Sequence, residues 1–307
     1  MENRKPKVIR SISEFHKLLG ALPPAHPLIS IIDYNNISPQ PEIAELGVVF
    51  DGYAIAIKRD IAIKMSYGQQ HYDFDEGLML FMAPKQVVKI KTDKNIEAER
   101  SGWILLIHPD FLWNTPLAKS IKRYDFFEYV VNEALFLSAD EEVIINQIVQ
   151  NIAQEYRSNI DKFTQDIIIS QIETLLNYSE RFYQRQFITR KVSNHKILER
   201  LEDVLTAYFK DDLATKGFPT VQYIATALNI SASYLSGVLK NLTGRSTQQH
   251  IQDRMIELAK EKLSITDLSV SEIAFELGFE HPQSFSKFFK SKTNLSPLLF
   301  RQSFEKN

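Results

Sequence analysis

Ile224-Ala225-Thr226-Ala227-Leu228-Asn229-Ile230-Ser231 leads into Tyr234-Leu235-Ser236 and Lys240-Asn241-Leu242-Thr243-Gly244. The pattern returns as Ile273-Ala274-Phe275-Glu276-Leu277-Gly278-Phe279, then Ser284-Phe285-Ser286 and Phe289-Lys290-Ser291-Lys292-Thr293-Asn294. The offset is 49 residues at the alanines and 50 at the lysines, which puts one extra residue in the second turn. Each part of the repeat has a physical reason. Ala225 and Ala274 sit where one helix crosses the next, and a larger side chain there would push the helices apart. Asn229 and Gly278 follow four residues later, at a turn that needs positive φ, which these residue types tolerate best. Leu235, Leu239, Phe285 and Phe289 then return the second helix of each pair to a core. The repeat therefore predicts two helix-turn-helix units, at about 220–243 and 269–293.

The ends of these helices are written locally. Ser269-Val270-Ser271-Glu272 is a capping box, in which the serine oxygen accepts from the backbone three residues on and the glutamate reaches back. Gly244 and Asn294 are the two commonest residues for a left-handed helix terminus. Upstream, Ile197, Leu201, Val204, Leu205 and Tyr208 form an apolar stripe that ends before Gly217 and Pro219. The polar stretch Thr189-Arg190-Lys191-Val192-Ser193-Asn194 is expected to be a linker, dividing the chain into domains at 1–190 and 191–307.

The earlier half changes period. Gly47-Val48-Val49-Phe50, Tyr53-Ala54-Ile55-Ala56-Ile57, Leu78-Met79-Leu80-Phe81 and Trp103-Ile104-Leu105-Leu106-Ile107 are short apolar runs punctuated by Asp51-Gly52, Asp75-Glu76-Gly77, Pro84 and Ser101-Gly102. Such spacing between about 28 and 110 predicts a β barrel or sandwich. After Pro116 the period becomes helical: Ser138-Ala139-Asp140-Glu141 is a second capping box, and Ile145, Ile148, Val149, Ile152 and Tyr156 share one face behind it. Another helix, about 165–187, repeats this with Ile168, Ile172, Leu175 and Leu176. The fold class is thus α+β, with an all-α C-terminal part.

Composition narrows the classes. With 307 residues and 44% hydrophobic content, the chain can bury two cores. It has no cysteine, which excludes a disulfide framework, thiolate zinc and a cysteine nucleophile. The basic start Met1-Glu2-Asn3-Arg4-Lys5-Pro6-Lys7 lacks the apolar segment of a signal peptide, and no apolar run is long enough to span a membrane, so a cytoplasmic protein without a membrane partner is expected. Net charge is −2. Residues 195–307 hold 14 Lys+Arg against 13 Asp+Glu, so bulk charge decides nothing about partners.

The last ~100 residues resemble the DNA-binding domain of the AraC/XylS family of transcription regulators. Ile273-Ala274, Gly278-Phe279, Ser284-Phe285-Ser286, Phe288-Phe289-Lys290, Ser296-Pro297 and Phe300-Arg301 carry the likeness. Asn294 stands in place of the family's usual glycine and tolerates the same backbone. The resemblance implies a joining helix, here about Thr247 to Leu263 with Ile251, Met255, Leu258 and Ala259 inward, that holds two recognition helices ~34 Å apart along double-stranded promoter DNA.

On that basis the first recognition helix presents Ser233, Ser236, Gly237 and Lys240. Gly237 stands where the family often has a long polar side chain, which leaves this helix mostly backbone and phosphate contacts. The second presents Gln283, Ser284, Ser286 and Lys287, better suited to base edges. Arg245, Lys290, Lys292 and Arg301 are expected at phosphates.

The order of β structure, two helices and DNA-binding domain also resembles family members with a cupin-like regulatory barrel. It implies a small-molecule effector, with Tyr53, Tyr72, Phe81 and Trp103 as candidate lining, or dimerisation, and RNA polymerase as a further partner. The helices at 139–158 and 165–187 serve equally well as a homodimer seam or as a cover for the barrel. A ligand-independent regulator is the alternative. A cupin enzyme with an appended DNA-binding domain is disfavoured: His71 and His108 are isolated, no histidine-rich metal motif occurs, and neither metal, cofactor nor catalytic residue is expected.

Overall fold

The computed structural model describes residues 6–37, 47–59, 77–89, 101–129, 133–157, 161–210 and 213–303. It divides into two compact units, Met1–Gln186 and Phe187–Asn307.

In the N-terminal unit, strand β1 (Lys7–Ile9) and helix α1 (Ile12–Leu19) precede β2 (Ile29–Asp33), β3 (Gly47–Phe50), β4 (Tyr53–Arg59), β5 (Gly77–Met82), β6 (Val87–Lys89) and β7 (Ser101–Ile107). A one-turn helix α2 (Leu117–Ser120) and β8 (Leu135–Leu137) lead to α3 (Ala139–Arg157) and α4 (Thr164–Thr189). The strands form a three-stranded sheet, β1-β3-β6, and a five-stranded antiparallel sheet, β2-β7-β4-β5-β8. Among the described residues no ladder joins the two, so the expected closed barrel is replaced there by two separate sheets.

Alternation along the strands gives the large sheet two apolar faces. Ala54, Ala56, Ile104, Leu106 and Ile32 face the small sheet and α1, packing with Val48, Phe50, Ile9, Ile12 and Phe15. The other face carries Met79, Phe81 and Trp103 toward the helical layer. There the Ser179 hydroxyl meets the Met79 sulfur at 3.9 Å, and the Phe81 ring lies 4.4 Å from Phe126 and 6.1 Å from Tyr183. His16 is buried between α1 and β2, with Nε2 2.9 Å from the Ser30 hydroxyl and Nδ1 bonded to the Leu22 carbonyl. Burial holds its pKa below the usual imidazole value, against the raising effect of that carbonyl.

The C-terminal unit is helical: α5 (Lys191–Lys210), α6 (Leu213–Lys216), α7 (Val221–Leu228), α8 (Ala232–Thr243), α9 (Thr247–Ile265), α10 (Val270–Glu276), α11 (Pro282–Thr293) and α12 (Pro297–Gln302). The sequence Thr189–Asn194, expected as a linker, is helical on both sides of a single turn residue, Arg190. Asn194 explains the misreading, because it is buried and its Nδ2 donates to the Phe187 carbonyl at 2.7 Å. Its polarity satisfies the end of α4 rather than solvating a loop.

One core runs through both helix-turn-helix units, from Leu201 and Leu205 of α5 through Ala225, Leu235 and Leu239 to Met255, Ala259, Ala274, Phe285 and Phe289. The repeat is reproduced at the level of hydrogen bonds. After α7, Asn229 (φ 59°) donates to Thr226 and Ile230 to Ala225; after α10, Gly278 (φ 81°) donates to Phe275 and Phe279 to Ala274, all at 2.9–3.0 Å. This double bond pattern closes a helix on a left-handed residue. Gly244 (φ 71°) and Asn294 (φ 61°) end α8 and α11 by donating to Lys240 and Lys290. The extra residue of the second turn is Glu280, between Phe279 and His281.

Candidate nucleic-acid interface

Helix α8 begins at Ser231, whose hydroxyl oxygen accepts from the Tyr234 amide at 3.1 Å. Leu235, Val238 and Leu239 point into the core, which leaves Ser233, Ser236 and Gly237 half-buried and Lys240 exposed on the outer side. The Ser236 hydroxyl is not idle: it lies 3.2 Å from that of Thr247, a buried residue at the start of α9. Helix α11 starts with Pro282 at its first position and no side-chain cap. Phe285 and Phe289 are fully buried, and the opposite side exposes Gln283, Ser284, Lys287 and Lys290, with Ser286 half-buried. Lys292 is also exposed, close to the end of the helix.

The two outer sides differ in chemistry. At an offset of 50, Ser233 corresponds to Gln283, Gly237 to Lys287 and Lys240 to Lys290. The second helix therefore offers a side-chain amide and two ammonium groups where the first offers a hydroxyl, no side chain and one ammonium.

Helix α9 sets the spacing. It has 19 residues, about 28 Å at ~1.5 Å per residue. Its start is fixed by a capping box that sequence reasoning missed: Ser246 Oγ accepts from the Gln249 amide at 3.3 Å, and Gln249 Oε1 accepts from the Ser246 amide at 2.7 Å. The signal was legible in Ser246-Thr247-Gln248-Gln249.

The expected phosphate contacts fare unequally. Arg245, 60% exposed, pairs with Asp253 at 2.8 Å, so a phosphate there would have to share or take its guanidinium. Nearby, Thr243 Oγ1 lies 2.9 Å from His250 Nε2 and itself donates to the Leu239 carbonyl. The hydroxyl thus accepts the imidazole N–H, and burial lowers the His250 pKa, with Arg245 acting in the same sense against Glu202 and Asp253. Arg301 is half-buried and donates from Nε to the Leu263 carbonyl at 3.2 Å. This bond satisfies a carbonyl in the last turn of α9. Arg200 does the same for α7, donating to the Leu228 carbonyl at 3.1 Å.

In the N-terminal unit the candidate effector residues Tyr53, Phe81 and Trp103 share the helix-covered face of the large sheet. Phe81 is buried against Phe126, Phe127 and Tyr183, and Tyr53 packs edge-on to Phe127 at 5.2 Å. Trp103 lies four residues along the same face, paired in register with Ile57 where Tyr53 pairs with Ile107, and its Nε1 donates to Asn146 of α3 at 2.8 Å. The packing partners of these three side chains are in the helical layer. Tyr72 and His71 lie outside the described residues. His108 accepts from the Asp110 amide at 3.2 Å. Among the described residues no group of three His, Asp or Glu side chains is placed to hold a metal ion, and no helix is long and apolar enough to cross a membrane.

Residues 224–303 match a family model described as a helix-turn-helix domain. The chain is 32% identical over 139 residues to the uncharacterised HTH-type transcriptional regulator YfiF of Bacillus subtilis (strain 168), covering 45% of this chain and 41% of that protein. To an uncharacterised HTH-type transcriptional regulator in the cgkA 5' region of Pseudoalteromonas carrageenovora it is 29% identical over 114 residues, 37% of this chain and 63% of the relative. The chain thus spans about two-fifths to three-fifths of the length of these relatives. A solved structure, the C-terminal domain of the two-component response regulator yesN from Fusobacterium nucleatum, aligns with 34% of this chain and 95% of its own at 27% identity and a TM-score of 0.30.

Proposed function

We propose that this chain, an AraC-family transcriptional regulator by its C-terminal domain, reads a bipartite site on double-stranded promoter DNA with α8 and α11, and that α11 is the main reader of sequence. The observation that carries this is the matched pair of outer helix sides on one shared core, with Gln283 and Lys287 where α8 has Ser233 and Gly237. Glutamine pairs with adenine through two hydrogen bonds and lysine donates to guanine, whereas a glycine makes no side-chain contact. Ser284 and Ser286 add shorter contacts beside them. Ser236 and Lys240 hold the first helix to its half-site, and Arg245, Lys290 and Lys292 neutralise phosphates.

Binding-site selection by the full chain tests this. Gln283→Ala and Lys287→Ala should each cost ~1–3 kcal/mol at particular base pairs and relax preference there. Arg245→Ala should weaken all sequences about equally and lower the salt slope by roughly one. Unchanged preference after both α11 substitutions would sink the assignment.

The N-terminal unit fits a regulatory, non-enzymatic role in a cytoplasmic factor. Its cupin-like character, control by a small molecule, dimerisation through α3 and α4, and contact with RNA polymerase belong to this proposal. A ligand that binds at 100 times its Kd should add ~2.7 kcal/mol of stability to the N-terminal unit. A ligand-independent regulator, using that unit for association only, would show none.

A further inference from the structure

Tyr234 is the third residue of α8, within the N-terminal turn that the proposed function turns toward DNA, yet it is only 6% exposed. Its ring packs edge-on against Phe187 at a centroid distance of 5.5 Å, and Phe187 is itself 2% exposed. The helix-turn-helix fold does not require this burial. At the corresponding place in α11, fifty residues on, stands Ser284, which is exposed, while the residues that do build the core are buried in both copies: Leu235 with Phe285, and Leu239 with Phe289. The aromatic side chain and its cover are therefore an addition peculiar to the first copy.

The cover comes from outside the motif. Phe187 lies in the last turn of α4, a helix whose preceding residues through Gln186 belong to the N-terminal unit. Its carbonyl accepts from Asn194 Nδ2 at 2.7 Å, and Asn194 is 1% exposed, so the end of α4 is fastened to the first turn of α5. A ring held this way has a fixed position against which α8 can rest. Aromatic pairs of this geometry add stabilisation beyond the area they bury.

We propose that Phe187 is a positioning residue for DNA recognition: through Tyr234 it sets the pose of the base-facing turn of α8 and leaves α11 untouched. The proposal rests on the reading of α8 and α11 as DNA-contacting helices. It also assigns Tyr234 to packing, so that α8 reaches DNA with one residue fewer than α11 at this turn.

The test is a hydroxyl-radical footprint of the full chain on its selected DNA site, with thermal melts alongside. Protection lost in the Lys287→Ala variant marks the α11 half-site. In Phe187→Ala, protection over the other half-site should weaken about 2- to 10-fold, the range that an aromatic pair's stabilisation converts to, while the α11 half-site stays protected. Phe187→Leu, which keeps apolar cover, should fall between the parent and Phe187→Ala, and it carries the test alone if Phe187→Ala does not fold. Equal loss over both half-sites, or no loss in a folded variant, overturns the proposal. A parent chain that selects no sequence and leaves no footprint refutes the DNA reading itself, a separate and recognisable failure.

Discussion

Gly278 meets two demands at once. Its φ is +81°, and a Cβ added there would come within 2.7 Å of the Leu213 carbonyl oxygen on α6. A left-handed conformation costs an alanine ~1–2 kcal/mol, and the carbonyl is backbone, so relief of the clash requires α6 to move. Gly278→Ala should therefore lower the stability of the C-terminal unit by more than ~2 kcal/mol in helix-monitored unfolding. A change under ~0.5 kcal/mol would show that α6 yields freely. At the matching position, Asn229 has φ 59°, and the sequence foretold positive φ at both sites. The close approach of α6 was not legible, since nothing local to Gly278 encodes where α6 lies.

His16 gives a residue-scale prediction of the opposite kind. Folding favours its neutral form, because burial lowers its pKa from 6.5 while Nδ1 bonds the Leu22 carbonyl and Nε2 faces the Ser30 hydroxyl. The unfolded chain therefore binds the proton more readily. The stabilisation is complete above ~6.5 and is lost as pH falls from there through the lower folded pKa. His26, lowered by burial in the same sense, adds to this slope. Both tryptophans, Trp103 and Trp113, lie in the N-terminal unit, so their fluorescence reports its unfolding. Between about pH 7 and pH 5 the unit should lose stability, and His16→Gln should flatten that dependence. An equal slope in the variant would assign the effect elsewhere.

At the scale of elements, length and periodicity governed what could be read. The four apolar runs of four or more residues became β3, β4, β5 and β7, and the helices expected at 139–158 and 165–187 became Ala139–Arg157 and Thr164–Thr189. Strands β1, β6 and β8 have three residues each, too few to show alternation, and are defined by their partners: β1 pairs parallel with β3, and β8 adds to the edge of β5. Helix α1 carries its start and stop signals in the sequence. Ser11-Ile12-Ser13-Glu14 carries the same capping signal as Ser138-Ala139-Asp140-Glu141, with Glu14 accepting from the Arg10 amide at 2.8 Å, and Gly20 ends it at φ 65°. Of the candidate interface, the exposed sides of α8 and α11 followed from the repeat. The places of Arg301 on the Leu263 carbonyl and of Asp253 beside Arg245 depend on contacts between elements, which a repeat alone does not specify.

For the molecule as a whole, each unit keeps its own core, and the boundary at Phe187 matters for dissection: a fragment that starts at 190 would lack the Phe187 ring that packs on Tyr234. The core of the C-terminal unit has no seam between the two copies of the motif, since α9 supplies Ile251, Met255, Ala259 and Leu263 to a cluster that contains both Leu239 and Phe289. The copies should therefore open as one cooperative body. Native-state hydrogen exchange should give the slowest amides of α8 and α11 a common opening free energy. Ala274→Leu, an overpacking change worth ~1–3 kcal/mol in the second copy, should lower both by the same amount. Separate opening energies would divide the body in two. A shared core also constrains how such a protein diverges: a lesion in that cluster taxes both half-sites alike, so selection can retune one of them only from outside it, through the side chains on its outer helix face or the Phe187 ring behind Tyr234.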